Sequence, residues 1–133
     1  MNHFEKVQSH LQELGISYEV VDADQELILA NDEARGIKQL VIDCEYPIIV
    51  FEQFLLELKS PRAETYQRLL QINRELIHGA LTVDEGGKRL IFRDTLQLEN
   101  LDLNEMKGTI EALGLALAEH AHEFIAMAKG EYR

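Results

Sequence analysis

The hydrophobic period of the segment Tyr66–Leu98 changes at a single glycine, Gly79. Before Gly79 the apolar residues recur at the helical spacing i, i+3, i+4 and i+7, and after it they alternate as they do in a strand. This change predicts an amphipathic helix followed by two strands. The residues between the strands tolerate positive φ, so we expect a β-hairpin turn with Gly86 and Gly87 in the left-handed conformation. A helix packed on a hairpin buries the apolar face of each.

Caps and alternation predict the elements of the first half of the chain. Asn2 and Glu5 have the spacing of a capping box before a short first helix that ends near Gly15. Segments rich in β-forming residues follow at Ser17–Asp22, Glu26–Ala30, Ile37–Glu45 and Ile48–Leu58. Tyr18–Ala30 is either one bulged strand or two strands joined by a turn. For the second half of the last segment, a buried helix is an alternative to a strand.

Two further helices are expected in the second half. Ser60 and Pro61 have the preferred order for a helix N-terminus, so the helix before the hairpin should begin near Ser60. Asp102 and Glu105 repeat the capping-box spacing before a long last helix with a broad apolar arc, which indicates packing on more than one neighbour or on a partner. The predicted order is α-β-β-(β)-α-β-β-α in a single domain of residues 1–133.

The charge and the cysteine content narrow the classes of function. The chain has 24 acidic and 13 basic residues and a formal net charge of −11, which repels nucleic acid and anionic membrane surfaces. The expected partner is therefore a protein client, with neither nucleic acid nor a membrane as ligand. A single cysteine, Cys44, and the lack of a secretory signal predict a cytoplasmic location. No apolar run is long enough for a membrane-spanning helix.

The titratable residues form no recognisable catalytic or metal motif. Cys44 lies in an apolar strand pattern, where a cysteine usually acts as a small buried hydrophobe. His120 and His122 are two residues apart and so lie on different sides of a helix, and His120 with Glu123 supplies only two of the ligands that zinc needs. We therefore predict no catalytic residue, no metal, no cofactor and no enzymatic activity.

Four segments of the second half together resemble one family. They are Leu69 to Asn73 at the end of a helix, His78 to Asp84 at the start of the hairpin, Arg89 to Asp94 in its second strand, and Leu96 to Leu103 before the last helix. In this order they resemble the YbjN family, which is similar in fold to class I type III secretion chaperones such as the Tir chaperone. The resemblance implies an α+β domain with three helices against one twisted antiparallel sheet, often paired as a homodimer. It also implies binding of an extended protein segment, or a regulatory role, without catalysis.

A homodimer interface is predicted on the helix before the hairpin, from its surplus of apolar positions and from the resemblance. The predicted interface residues are Tyr66, Leu69, Leu70, Asn73 and Ile77. Asn73 has two open roles, because a short amide in an apolar stripe either bonds to nearby backbone or forms a hydrogen bond across an interface.

A client surface is predicted where apolar residues exceed the needs of one core face. The strand after Pro47 has apolar side chains on both faces, and one of these faces requires a second cover. The predicted partner-binding residues are Phe4, Val7, Leu11, Val50 and Phe51. Such a protein would hold a partner's segment against an apolar surface and a sheet edge. The alternatives are a small regulatory or structural homodimer without a client groove and, less favoured, an enzyme.

Overall fold

Six antiparallel strands form one sheet, and four helices pack on one of its faces. The computed structural model describes residues 1–133. The helices are α1 (His3–Leu14), α2 (Ala63–Asn73), α3 (Leu103–Glu119) and α4 (Ala121–Lys129). The strands are β1 (Ser17–Asp22), β2 (Leu27–Asp32), β3 (Ile37–Glu45), β4 (Ile48–Glu57), β5 (Ala80–Val83) and β6 (Arg89–Gln97). This architecture confirms the predicted α+β class with a single antiparallel sheet.

The strand order across the sheet is β1-β2-β3-β4-β6-β5. Side chains alternate between the two faces of a strand, so the register determines which of them meet the helices. Ile42 lies opposite Phe51, and Gln53 lies opposite Phe92. All four side chains are buried beneath the helices, on what we call the inner face. The opposite side of the sheet is the outer face.

The core beneath the helices has two parts. In the first part, α1 and α3 pack on β2, β3 and β4, with Leu11 and Leu113 fully buried against the sheet. In the second part, α2 and α4 pack against the end of β4 and the hairpin, and Ile72 and Met127 are buried there. All four helices therefore cover the same face of the sheet.

The predicted caps of the first and third helices are confirmed. The Asn2 side chain accepts the backbone N–H of Glu5 at 2.8 Å, and Gly15 ends α1 with φ of 74°. The Asp102 side chain accepts the backbone N–H of Glu105 at 2.8 Å at the start of α3. These bonds satisfy amide groups that have no partner within the helix.

The start of α2 differs from the prediction. The helix begins at Ala63 rather than near Ser60, because Ser60 has φ of 47°, which lies outside the right-handed helical region. The cap residue is Arg62, whose backbone N–H donates to Thr65 Oγ1 at 3.1 Å. The Ser-Pro pair therefore belongs to the loop that leads into the helix.

The first half holds four strands rather than two or three. A turn at residues 23–26 separates β1 from β2, so Tyr18–Ala30 forms two strands. β4 continues to Glu57, and the helical alternative for its second half is wrong. In the hairpin, Gly87 has the expected positive φ of 69°, but Gly86 does not. The Gly87 N–H donates to the Asp84 carbonyl at 2.9 Å, which closes a turn that has only one left-handed residue.

The predicted long last helix is broken at His120. The backbone of His120 has φ of −116° and ψ of 20°, which ends α3 and redirects the chain into α4. This change of direction lets Phe124 and Met127 pack in the second part of the core. The structure therefore has four helices where the sequence predicts three.

Candidate protein-binding surfaces

The outer face of the sheet has no helix over it. Leu29 lies directly opposite Val41 across β2 and β3, and Ile91 lies opposite Phe54 across β6 and β4. Val50 is only 7% exposed, because it lies between β3 and β6 and its outer-face neighbours flank it. Further apolar side chains of this face are Leu27 and Ile48. Phe54 is 44% exposed and the others, apart from Val50, are half-buried. A partly exposed apolar surface with charged residues among it is typical of an interaction surface.

Charged side chains of both signs lie among the apolar residues of the outer face. Arg93 pairs with Glu52, which is its direct neighbour across β6 and β4. Arg89 lies 4.1 Å above the centre of the Phe54 ring, in a cation–π contact. Burial raises the pKa of the Asp43 carboxyl above its ordinary value, and the nearby carboxylates of Glu45 and Glu52 raise it further. Negative charge is therefore in excess around Asp43.

The two edges of the sheet differ in how they meet solvent. At the β5 edge, the Asn73 amide donates to the Leu81 carbonyl at 3.1 Å and accepts the Leu81 N–H at 2.7 Å. At the other edge, β1 has a single neighbour, β2, and its residues are exposed except for half-buried Tyr18. A free edge strand presents unpaired backbone donors and acceptors to a further strand. β1 therefore presents the longer free edge, of six residues, whereas at β5 Asn73 already satisfies both backbone groups of Leu81.

The structure separates the predicted partner-binding residues into two groups. Val7, Leu11 and Phe51 are fully buried in the core beneath α1 and α3, so they present no surface in the folded monomer. Phe4 is half-buried at the margin of that core. Val50 lies on the outer face, as its alternation with Phe51 requires.

The predicted dimer residues are likewise divided. Leu69 is a core residue, and Tyr66 donates its hydroxyl to the Gly87 carbonyl at 2.6 Å. Asn73 forms the local backbone bonds described above, so that alternative is confirmed. Leu70 and Ile77 are 68% and 81% exposed, and they are the members of the set whose side chains are free to meet a second subunit.

A groove on the helix side of the molecule was missed from the sequence. Its floor is one flank of α3, and its walls are the short 3-10 turn Glu33–Arg35 and the loop after α2 at residues 75–78. The groove has a volume of about 980 Å³ and contains the half-buried Leu76 and Leu117 and the exposed Leu115. The broad apolar arc of the last helix was the available signal, but the facing loops cannot be located from periodicity.

Of the titratable residues singled out from the sequence, His120 and Glu123 are in contact, but they belong to no group of three or more possible metal ligands. Burial raises the pKa of the Cys44 thiol to about 12, so the thiol is protonated at neutral pH. His120 is buried, with its Nε2 3.3 Å from a Glu75 carboxylate oxygen and its Nδ1 3.5 Å from one of Glu123, whereas His122 is exposed. None of the helices has the length and apolar character that spanning a bilayer requires.

The helix-covered sheet with its bare outer face defines an α+β domain of the secretion-chaperone type. The chain belongs to the CesT_Tir_1 family, a family of type III secretion chaperones, whose sequence profile matches residues 1–130. This match confirms the resemblance seen in the sequence. A comparison with curated protein sequences finds no match.

Solved structures share the fold at low sequence identity. YbjN from E. coli, described as a candidate transcription regulator, is 14% identical with a TM-score of 0.68, over 90% of this chain and 91% of that chain. The Yersinia pestis type III secretion chaperone SycH, in complex with a fragment of YscM2, is 10% identical with a TM-score of 0.55, over 95% and 99%. A chain of the ExoU–SpcU type III secretion complex of Pseudomonas aeruginosa is 20% identical with a TM-score of 0.50, over 68% and 74%.

Proposed function

We propose that this protein is a non-enzymatic, chaperone-like binding domain that holds an extended segment of a partner protein on the outer face and along β1. The observation that carries the proposal is the placement of all four helices on one face, which leaves the apolar residues of the other face without a cover. Membership of the secretion-chaperone family supports it. The SycH structure contains a bound fragment of another protein, which agrees with a client-binding role.

Strand addition at β1 explains how one surface would accept segments of differing sequence. Backbone hydrogen bonds to the free edge provide affinity with little demand on side chains, and the apolar outer face then selects among the alternate side chains. Burial of about 500 Å² of apolar surface would contribute roughly 12 kcal/mol before the entropy of ordering the segment is subtracted. A basic residue in the segment would compensate the excess of negative charge around Asp43.

The chemistry of the described side chains supports a binding role over catalysis. The Cys44 thiol is buried and its pKa is about 12, so it is a poor nucleophile at neutral pH. The formal charge of −11 favours a protein partner over nucleic acid or an anionic membrane. A cytoplasmic location agrees with a free, buried cysteine.

Homodimerisation through α2 is part of the proposal. The alternative function, a small regulatory or structural homodimer without a client groove, also requires this dimer. Leu70 on α2 is the exposed apolar residue that supports it, together with Ile77 in the loop that follows the helix and forms a wall of the groove. Sedimentation at micromolar concentration should show twice the chain mass for the wild type and a monomer for Leu70→Glu. A monomeric wild type would remove the dimer from the proposal. A dimer that Leu70→Glu does not weaken would place its interface elsewhere.

The client surface is tested by a single negative charge on the outer face. Val41→Glu places a carboxylate beside Leu29, and Gln67→Glu adds the same charge on the exposed side of α2. Both variants should fold, as judged by circular dichroism. Affinity capture from the native lysate, read by mass spectrometry, should lose its partners with Val41→Glu and keep them with Gln67→Glu. Equal recovery with both variants would contradict a client site on the outer face.

A further inference from the structure

The groove beside α3 has the chemistry of a binding site separate from the outer face. We propose that it binds a basic amphipathic helix of a partner protein, with the apolar side of that helix on the groove floor and its lysine or arginine residues at the rim. The groove lies on the helix side of the sheet, so the site does not depend on where the proposed client segment binds.

The walls of the groove are positioned by two glycines of α3. A Cβ on Gly108 would lie 2.9 Å from His78 Nε2, and a Cβ on Gly114 would lie 2.7 Å from the Arg35 carbonyl oxygen. These glycines let the two loops pack directly against α3. The walls therefore hold fixed positions on either side of Leu115, which is 53% exposed between them.

The floor of the groove suits a helix because it is apolar and extends along α3. The lining residues from Gly108 to Glu119 span about three helical turns, or roughly 16 Å at 1.5 Å per residue. Leu115 and Ala118 are exposed there, and Leu117 is half-buried. An apolar groove of this length matches the side-chain spacing i, i+3, i+4 and i+7 of an amphipathic helix.

The charge of the rim selects the partner. The lining contains four carboxylates, those of Glu33, Glu75, Glu111 and Glu119, and one guanidinium, that of Arg35. The guanidinium of Arg35 already forms an ion pair with Asp32, with 3.1 Å between the nitrogen and the carboxylate oxygen. Glu111 lies 3.7 Å from Lys107 Nζ, and Glu75 lies 3.3 Å from His120 Nε2. Glu33 and Glu119 have no ion-pair partner within the chain. A helix with lysine or arginine beside its apolar stripe complements this rim, whereas an acidic helix or a second copy of this acidic chain is repelled by it.

The test uses three labelled synthetic peptides and fluorescence anisotropy with the full chain. The first has leucines at i, i+3, i+4 and i+7 with lysine at the flanking positions. The second has glutamate in place of every lysine, and the third is a scramble of the first without an apolar stripe. The first should bind saturably, and the other two should bind at least tenfold more weakly. Affinity for the first peptide should fall as salt is raised.

Variants then locate the bound peptide. Leu115→Ser, and the double change Glu111→Lys with Glu119→Lys, should each weaken binding of the first peptide at least fivefold. The matched control is Glu64→Lys with Glu99→Lys, which makes the same change of net charge at exposed positions outside the groove. The control should weaken binding less than twofold. Thermal unfolding establishes that each variant is folded.

Several outcomes would overturn the inference. These are no saturable binding of the first peptide, equal binding of the glutamate or scrambled peptide, or an equal loss of affinity in the control. A wild-type dimer that Leu115→Ser converts to a monomer would also overturn it, because the groove would then bind a second copy. The outer-face variant Val41→Glu should leave peptide binding unchanged, so that failure of this site and failure of the client site are distinguishable.

Discussion

At the scale of single residues, Asn73 ties α2 to the outermost strand β5 through the backbone of Leu81. The sequence predicts either a local backbone bond or an interfacial bond for this amide, and the structure has the local bond to both backbone groups of Leu81. A sequence pattern cannot choose between them, because the choice depends on how closely α2 lies to β5. The same holds for Val7 and Leu11, since an apolar residue on a helix face looks identical whether its cover comes from the chain or from a partner.

Replacement of Asn73 by alanine should lower the free energy of unfolding by about 1–3 kcal/mol, because it leaves two backbone groups of Leu81 without partners. Asn104→Ala is the control, since Asn104 is exposed on α3 and makes no side-chain hydrogen bond within the chain. Urea denaturation measures both changes. If the two variants have the same stability, the Asn73 bonds do not contribute to the fold.

At the scale of elements, the break between α3 and α4 shows where periodicity fails. The apolar stripe predicts one continuous helix, and His120 is neither a glycine nor a proline, so the sequence contains no ordinary break signal. The break arises from tertiary contacts, because the change of direction lets α4 pack against α2. Arg68 donates two hydrogen bonds to Glu123 across these helices, at 2.6 and 2.9 Å.

This ion pair predicts how stability depends on pH. The bonds from Arg68 lower the pKa of the Glu123 carboxyl below its ordinary value of 4.5. A carboxyl with a lowered pKa in the folded state stabilises the protein above its unfolded pKa, and that contribution is lost as the pH falls through the folded pKa.

Glu123→Gln should therefore cost about 1 kcal/mol at pH 7, and its difference from the wild type should shrink as the pH falls below about 4.5. Denaturation at several pH values measures this difference. Glu99→Gln, in an exposed loop, is the control and should have no effect at pH 7. A difference that stays constant down to pH 3 would show that the charge of Glu123 does not contribute.

At the scale of the whole molecule, the sequence predicts the fold class better than it predicts the surfaces. The change of period at Gly79, the caps at Asn2 and Asp102, and the two apolar faces of β4 lead to the correct class, because these are local patterns. The positions of the groove and of the outer face depend on which side of the sheet the four helices pack. That side is determined by contacts between segments far apart in the sequence. For this reason the sequence places Val50 and Phe51 together as partner-binding residues, although they lie on opposite faces.

Hydrogen exchange of the chain in complex with its captured partner tests the central claim most directly, because it reports which backbone amides become protected. The account predicts added protection at the β1 amides, residues 17–22. It also predicts added protection in β2 and β3, the next strands of the sheet, whose outer-face side chains would contact the segment. It predicts no added protection at the Leu81 amide of β5, because the Asn73 side chain already accepts that N–H. Protection confined to β5 or α2, or no change in β1, would contradict a client segment bound along the free edge and outer face of the sheet.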